Sequence, residues 1–214
     1  MKKKKLYQNL KISRQLRDII HGYIMSDGFV NSSGILTVDQ SNKQEKFVMW
    51  LYNKFEPIRT DHPISEVTRR RSNTVTISKR FNTRSVLHGF NFMWYKPYLN
   101  TDGNTKYLKC LPKSIDCFFS PEFITLWFAG DGTKIQGSKG AKFEVTNFSP
   151  KDRKKLKTLF KKKYDILVSI NRAGKAKSGT EQWTISINSD QYDQFKKLIT
   201  QIDLIPTLFP HKLH

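Results

Sequence analysis

The sequence predicts an α+β fold built from two similar halves. Two helix-forming segments each end in Asp-Gly, with the aspartates at Asp27 and Asp131. After each Asp-Gly, a strand, a helix, a second strand and a further helix follow in the same order. These observations indicate a diverged tandem repeat with pseudo-twofold symmetry. The two halves are predicted to comprise residues 1–107 and 108–214.

The first helix is predicted over residues 13–25, where apolar side chains recur at helical spacing and Ser13 can cap the first turn. The second helix opens at Ser120, followed by proline and an acid in the first turn, and runs to Gly130. A single helix ending in Asp-Gly would indicate only a C-terminal turn. Small residues near both helix ends would allow close packing: Gly22, Ser26, Ala129 and Gly130.

The remaining elements are predicted from strand alternation and helical apolar spacing, in the same order in both halves. In the first half they are a strand over 35–40, a helix containing residues 48–55, a strand over 74–78 and a helix around 86–95. In the second half they are a strand over 142–147, a helix containing residues 156–160, a strand over 183–187 and a helix around 192–202.

The formal charge of the chain indicates a polyanionic partner. The sequence has 38 Lys+Arg against 18 Asp+Glu, a net charge of +20. Residues 1–107 have 19 basic and 8 acidic side chains, and residues 108–214 have 19 and 10, so the excess is not confined to one basic arm. A compact protein with this charge repels itself unless a polyanion binds it, and nucleic acid is therefore the expected partner.

Cysteine content and hydropathy exclude other classes of protein. Cys110 and Cys117 are too few for a four-ligand zinc site or a secreted disulfide scaffold, which favours a reducing compartment. The longest apolar run, 123–130, is too short to span a membrane, and residues 1–9 lack the apolar core of an export signal. We therefore expect a protein that is not secreted. Its composition, rich in Lys and Asn, suits an AT-rich coding genome such as that of an organelle, so we expect a location in an organelle or in the interior of a bacterium or archaeon.

The two Asp-Gly segments resemble the motif of the LAGLIDADG homing endonucleases, in the single-chain form with two motif copies. The matching segments are 20–28 and 124–132, and the second is similar to the subgroup encoded in mitochondrial rRNA introns, as is 205–213. Both copies keep the final Asp-Gly, whereas Met25 replaces an earlier Asp and Leu126 an internal Gly. The resemblance implies two αββαββα halves whose antiparallel sheets form a DNA-binding saddle.

The resemblance implies that Asp27 and Asp131 are catalytic and bind Mg²⁺ or Mn²⁺, with Gly28 and Gly132 adjoining the metal. A phosphodiester repels a carboxylate unless a divalent cation lies between them, and Mg²⁺ prefers such hard oxygen ligands. The helix C-terminus adds partial negative charge at the same place. If the two helices pack side by side, each aspartate would serve one DNA strand, with the metal activating water and neutralising the leaving oxygen.

Four further residues are expected at the catalytic site. Each half closes on a lysine, Lys109 or Lys212, which lies 82 or 81 residues after its aspartate. The resemblance implies that these lysines organise water or stabilise charge on the phosphate. It also implies that Gln40 and Asn147, at the end of the first strand of each half, hold the metal-bound water, although Gln is commoner in the second position.

The strands are expected to read the DNA sequence, because antiparallel strands fit the major groove and present alternate side chains to base edges. Alternation places Val75 and Ile77 inward, and Phe143, Val145, Trp183, Ile185 and Ile187 likewise. The expected contacts from the outward strand positions are Thr74, Thr76, Ser78, Arg80, Lys142, Glu144, Thr146, Gln182, Thr184 and Ser186. Those from connecting turns are Arg69, Arg70, Arg71, Lys134, Arg172, Lys175 and Lys177.

Other conspicuous side chains are interpreted as structural. The histidines show no metal-ligand spacing, and His21 is expected to be a partly exposed helix residue. The aromatic residues Phe90, Phe92, Trp94 and Tyr95 are expected in the core, with stacking on unpaired bases as the alternative.

Three functions are compatible with these observations. The first is a monomeric, magnesium-dependent endonuclease that cuts a long asymmetric target in double-stranded DNA and leaves short 3′ overhangs, as the resemblance implies. The second is an intron-encoded maturase that binds structured RNA without cutting DNA. The third, a basic protein of the ribosomal kind, is disfavoured by the tandem repeat. Retention of both aspartates and both lysines favours the endonuclease, because a binding protein has no use for acids that face phosphate.

Overall fold

The computed structural model describes residues 11–72 and 74–213, including the backbone but not the side chain of Arg71. Residues 1–9, on which the expectation about export rests, lie outside this range. The chain forms two compact units. One contains Gly28–Phe92 with the described residues before Asp18, and the other contains Asp18–Asp27 and the chain from Met93 onwards. The division into residues 1–107 and 108–214 follows the repeat of elements and stays a prediction.

Each half has the same succession of elements. The first is α1 (Arg14–Met25), β1 (Phe29–Val30), β2 (Leu36–Ser41), α2 (Glu45–Lys54), β3 (Ser65–Arg71), β4 (Thr74–Asn82) and α3 (His88–Trp94). A hairpin follows, made of β5 (Tyr95–Leu99) and β6 (Thr105–Lys109). The second is α4 (Pro121–Asp131), β7 (Gly132–Lys134), β8 (Ala141–Glu144), α5 (Pro150–Tyr164), β9 (Val168–Lys175), β10 (Glu181–Ile187) and α6 (Ser189–Ile199), followed by the short α7 (Ile205–Leu208).

Two antiparallel four-stranded sheets share one strand order, which confirms the predicted α+β repeat. The first sheet has the order β1-β2-β4-β3 and the second β7-β8-β10-β9. On the inner face of the first sheet, Val38 and Phe81 are paired and buried, and Tyr52 of α2 packs edge-on against Phe81 at 5.2 Å between ring centroids. In the second sheet, Phe143 and Ile185 are paired and buried in the same way.

The two helices that end in Asp-Gly begin with the predicted caps. Ser13 Oγ accepts a hydrogen bond from the Leu16 amide at 3.1 Å, and Ser120 Oγ accepts one from the Phe123 amide at 3.3 Å. Every residue of α4 from 123 to 129 is buried, so this helix is surrounded by the core. None of the helices in the described part of the chain is long and apolar enough to cross a membrane.

Some sequence-based expectations about exposure were wrong. His21 is buried: its Nδ1 accepts a hydrogen bond from Trp94 Nε1 at 2.9 Å, and its ring stacks on Phe118. Phe92, expected in the core with its aromatic neighbours, is 88% exposed. The helical spacing of α3 explains the difference, because Phe90 and Trp94 lie on one side and Phe92 on the other.

The basic segments expected in turns are mostly strands. The arginine run at 69–71 belongs to β3 and pairs with β4, and Arg172 and Lys175 belong to β9. Lys134 ends β7, whereas Lys177 does lie in a turn. The alternation rule missed β3 because polar side chains occupy both of its faces, which are exposed where the β3–β4 hairpin extends beyond the core.

Candidate active site

The C-terminal ends of α1 and α4 lie together because glycines permit close contact. A Cβ added at Gly22 would lie 2.5 Å from the Phe123 carbonyl oxygen, and one at Gly130 would lie 2.5 Å from Ser26 Cβ and 3.0 Å from Asp27 Oδ2. Three of the four predicted small residues are therefore at this contact. The backbones approach more closely than any side chain larger than hydrogen would allow.

We expect Gly22→Ala to destabilise the protein by about 1–3 kcal/mol, because the added methyl group forces two packed backbones apart. Gly89→Ala is the matched control: Gly89 also lies in a helix, and a Cβ there meets nothing within 4 Å. That change should be neutral or stabilising by up to about 1 kcal/mol. Urea denaturation of both variants measures the difference in the free energy of unfolding. Equal stability of the two variants would contradict the close contact at Gly22.

The two aspartates lie at the C-terminal ends of this helix pair, Asp27 two residues after α1 and Asp131 as the last residue of α4, and they interact electrostatically. Asp27 is exposed, whereas Asp131 is partly buried as the last residue of α4. Burial, together with the charge of Asp27, raises the pKa of Asp131 to about 7, against the opposing influence of Lys109 and Lys212. Two carboxylates thus converge at a place where ionising both is unfavourable.

Each lysine holds the end of one of these helices. Lys109 Nζ donates to the carbonyl oxygens of Ile24 and Ser26 at 2.6 and 2.8 Å, at the end of α1. Lys212 Nζ donates to three carbonyl oxygens at the end of α4: Phe128 at 3.0 Å, Ala129 at 2.7 Å and Gly132 at 2.7 Å. An ammonium group satisfies the carbonyls that a helix end leaves unpaired and counters their partial negative charge.

The lysines titrate below their ordinary range. Burial lowers the pKa of Lys109, and lowers that of Lys212 to about 8, although Asp131 and Asp27 oppose the change in both cases. The predicted association of Asp27, Asp131, Lys109 and Lys212 is therefore present in the geometry. Their catalytic roles stay predictions.

The carboxylates of Asp27 and Asp131 suit a divalent cation whose remaining ligands come from outside the protein. Within residues 11–72 and 74–213, no group of three or more His, Cys, Asp or Glu side chains could hold a metal ion. The two aspartates alone supply hard oxygen ligands, and their mutual repulsion is what a cation would relieve. Mg²⁺ sites commonly use one or two carboxylates and complete the coordination with phosphate and water.

Asp131 should destabilise the free protein at neutral and alkaline pH. Its raised pKa means that the folded chain binds the proton more tightly than the unfolded chain, so stability falls as the pH rises from 3.8 to about 7. Without metal and DNA, Asp131→Asn should therefore raise the melting temperature at pH 8 by about 2–4 °C or more, and not at pH 4. Asp190→Asn, at an exposed acid in α6, should have no such effect; equal melting of wild type and Asp131→Asn at pH 8 would contradict the prediction.

Gln40 and Asn147 do not occupy equivalent positions. Gln40 is buried in β2, three residues after Thr37, which pairs with Phe29. Thr133 in the second sheet corresponds to Phe29, since each lies two residues after its aspartate, and Thr133 pairs with Lys142. The residue that corresponds to Gln40 is therefore Val145, three positions after Lys142. Asn147 lies beyond the end of β8 in an exposed turn. The roles of both amides stay predictions.

In the first sheet the predicted faces are correct but the exposure differs. The register places Thr74, Thr76, Ser78 and Arg80 on the face opposite to Val38 and Phe81, as expected. Val75 and Ile77 were wrongly predicted to be buried: they are 63% and 41% exposed, because β4 extends past the core at this end. Ser78 is buried on the outer face beneath Arg69, whose Nη1 donates to Ser78 Oγ at 2.8 Å.

In the second sheet Lys142 and Glu144 are exposed on the outer face, next to Thr184 and Ser186. Thr184 and Ser186 are buried: they lie beside the longer Glu144 and Lys142 on one side, and on the other side Asn171 Nδ2 donates to Ser186 Oγ at 3.0 Å. Thr146 Oγ1 accepts a hydrogen bond from the Trp183 amide at 2.8 Å and so extends the sheet. Gln182 is half-buried, and Arg172 pairs with Glu181. Contact with DNA stays a prediction for all of these residues.

Two features at these surfaces were not found from the sequence. Asp39 lies between Arg69 and Arg80 on the first sheet, although the alternation of Thr37, Asp39 and Ser41 was a signal for it. A basic cleft beside Gly132 is lined by Lys134, Lys142, His211 and Lys212. No local pattern brings these last four residues together, since they come from three separate segments.

Comparisons with known proteins agree on one family. A model of the LAGLIDADG DNA endonuclease family matches residues 17–195. The chain is 22% identical over 215 residues to the cytochrome b mRNA maturase bI2 of Saccharomyces cerevisiae, a match that covers 96% of this chain and 49% of the relative. The chain thus spans about half the length of that curated relative.

Two solved structures share the fold. The homing endonuclease I-WcaI bound to its DNA recognition sequence matches 100% of this chain and 93% of its own, with a TM-score of 0.77 and 17% identity. A variant of I-DmoI, in complex with nicked target DNA and in the presence of Mn, matches 88% of this chain and 97% of its own, with a TM-score of 0.51 and 11% identity.

Proposed function

The chain belongs to the LAGLIDADG DNA endonuclease family, and we propose that it is a site-specific endonuclease that hydrolyses one phosphodiester bond in each strand of double-stranded DNA. The observation that carries the proposal is the duplicated arrangement of aspartate and lysine. Asp27 and Asp131 lie at the ends of two closely packed helices, and Lys109 and Lys212 each hold one of those helix ends. A net charge of +20 supports a polyanionic substrate.

In this proposal the carboxylates of Asp27 and Asp131 bind the divalent cation, adjoined by the backbone at Gly28 and Gly132. When bound, Mg²⁺ or Mn²⁺ would activate water and neutralise charge on the leaving oxygen. Lys109 and Lys212 fix the ends of α1 and α4 and would act on the phosphates through the charge of their ammonium groups, since the three N–H groups of Lys212 already bond carbonyl oxygens. The low exposure of these groups strengthens their attraction for developing negative charge.

The two sheets would bind the flanking DNA, each reading one half of an asymmetric target. The different outer faces of the two sheets support this asymmetry, with arginines on the first and Lys142, Glu144 and short polar side chains on the second. One chain supplies both aspartates, which supports a monomeric enzyme. The chain's similarity to a cytochrome b mRNA maturase and its Lys- and Asn-rich composition support an origin in an organelle genome.

The test is selection of cleaved duplexes from a randomised DNA library, and from a library of intron insertion sites, with Mg²⁺. The expected result is a single enriched asymmetric sequence cut in both strands, with no products in EDTA. The Asp27→Asn, Asp131→Asn double variant is the control for contaminating nucleases. Binding of DNA without cleavage of any sequence, in Mg²⁺ or Mn²⁺, would reject the endonuclease.

A second function, RNA binding of the maturase kind, is supported by the β5–β6 hairpin as well as by the relative. This hairpin is a two-stranded sheet by itself, and its Tyr98, Leu99 and Leu108 are 50%, 72% and 58% exposed. Lys106 lies opposite Tyr98 in the register. Tyrosine faces next to ammonium groups suit stacking on unpaired bases.

Splicing of the host intron in vitro, with and without the chain, tests this second function. Tyr98→Ala combined with Lys106→Ala should reduce RNA binding and splicing while leaving DNA cleavage intact. Splicing that proceeds equally without the chain would reject a maturase function.

A further inference from the structure

Two arginines and an aspartate share the outer face of the first sheet. Asp39 on β2 pairs with Arg80 on β4, so their side chains lie on the same face. Arg69 on β3 pairs with Thr76, which is four positions from Arg80 on the same strand and hence on the same side. This face is opposite to the buried Val38 and Phe81, and it is the surface that the proposed function assigns to DNA.

The carboxylate of Asp39 is bonded to both arginines. Its Oδ2 accepts from Arg80 Nε at 3.1 Å and from Arg80 Nη2 at 2.5 Å, and also from Arg69 Nη2. The side chains of Arg69 and Arg80 remain 38% and 35% exposed. A guanidinium has five N–H groups, and these bonds, with the one to Ser78, occupy two on each arginine.

The position of Asp39 is unfavourable for simple attraction of phosphate. Two arginines without an acid would attract a polyanion more strongly, and a carboxylate at this surface repels it. Burial raises the pKa of Asp39, but the hydrogen bonds from Ser78, Arg80 and Arg69 outweigh it and hold the pKa below its ordinary value. The charge on Asp39 is therefore retained and serves to orient the two planar groups.

The second sheet lacks this arrangement at its equivalent position. Thr37 and Lys142 correspond, because each pairs with the first strand of its sheet. Asp39 and Glu144 each lie two residues further on and therefore occupy equivalent positions. Glu144 accepts hydrogen bonds from Thr146. Among the described residues, no arginine forms a hydrogen bond or an ion pair with Glu144. An acid with two arginines thus distinguishes the first half from the second.

We propose that Asp39 is a positioning residue for DNA recognition, which fixes Arg69 and Arg80 so that their free N–H groups read guanine edges in one half of the target. The inference rests on the proposed endonuclease function. A fixed, planar guanidinium suits the paired O6 and N7 acceptors of guanine in the major groove, whereas phosphate contact needs no such orientation.

The test is a binding selection from randomised duplex DNA in EDTA, followed by competition titrations with single base-pair variants of the selected sequence. Asp39→Asn should lose roughly tenfold discrimination at one or two G·C pairs in one half-site, and its affinity for unrelated DNA should stay equal or rise. Arg69→Lys and Arg80→Lys should lose discrimination at the same pairs, and Asp39→Glu should restore part of it. Asp61→Asn, which removes an exposed acid from Arg84, is the matched control and should keep the wild-type preference.

The outcomes separate this inference from the proposed function. Failure of the wild-type chain to select any sequence would reject the endonuclease proposal itself. A wild-type preference that Asp39→Asn retains at every position, with higher affinity for all DNA, would overturn the inference and leave the arginines as phosphate contacts. If circular dichroism shows that Asp39→Asn does not fold, Arg69→Lys and Arg80→Lys test the inference instead. Loss of discrimination at different, distant base pairs in these two variants would exclude a carboxylate that positions both arginines.

Discussion

Asp27→Asn and Asp131→Asn should each abolish double-strand cleavage, by more than about 10³-fold, while the variants still bind the target DNA. Both carboxylates converge at the helix ends, and the charges of both act on Lys109 and Lys212. Asparagine has nearly the same shape, so packing is preserved, but it lacks the charge that holds a divalent cation. Affinity for DNA should be unchanged or higher, because a charge that repels phosphate has been removed.

Cleavage and gel-shift assays on one substrate measure both consequences. Asp190→Asn removes the same charge from an exposed position at the start of α6, and it should cut at the wild-type rate. Variants at Asp27 and Asp131 that cut normally would remove these residues from the metal site. Loss of DNA binding together with cleavage would mean that the substitutions had disturbed the helix ends and not only the metal.

The helices that carry the aspartates were predictable because their signals are local. A hydroxyl cap followed by a first-turn pattern specifies where a helix begins, and both Ser13 and Ser120 accept the expected amide bonds. The repeat of elements could be predicted as well, because apolar residues recur at helical spacing in the helices and alternate with polar ones in the longer strands. The shared strand order of the two sheets then followed from the repeat.

The short and exposed strands were not predictable from local pattern. β1 has only two residues and β7 three, too few for an alternation to appear. β3 and the outer part of β4 pair with each other beyond the core, so their side chains are polar or exposed on both faces. Pairing with a neighbouring strand, and not burial of one face, determines these segments.

The contacts within the site join residues 80 or more positions apart in the sequence, and no sequence motif covers such a separation. The sequence indicated that Lys109 and Lys212 lie near the aspartates, but not that each ammonium group binds the carbonyl oxygens of a helix end. The presumed equivalence of Gln40 and Asn147 shows a related difficulty. Strand register determines which residues correspond, and a shift of two positions cannot be detected when both segments end in polar residues.

Lys109→Ala and Lys212→Ala should each slow cleavage by about 10²–10³-fold, the loss typical of one electrostatic stabiliser. Each lysine holds a different helix, α1 or α4, so each variant should impair mainly one DNA strand. Nicked intermediates should therefore accumulate. Lys→Arg at either site should not restore the wild-type rate, because a planar guanidinium cannot replace a compact ammonium among the two or three carbonyl oxygens that it bonds.

Strand-specific end-labelling of a cut plasmid measures the effect directly. The matched control is Lys155→Ala, since Lys155 Nζ also donates to a backbone carbonyl, that of Lys113 at 2.6 Å, but does so from α5 and not at the end of α1 or α4. That variant should cut both strands at the wild-type rate. Because losing a helix-end contact costs stability as well, cleavage is compared at a temperature where all variants are folded by circular dichroism. Undiminished and equal cutting of both strands by the Lys109→Ala, Lys212→Ala double variant would mean that the lysines only hold the helix ends and take no part in phosphodiester hydrolysis.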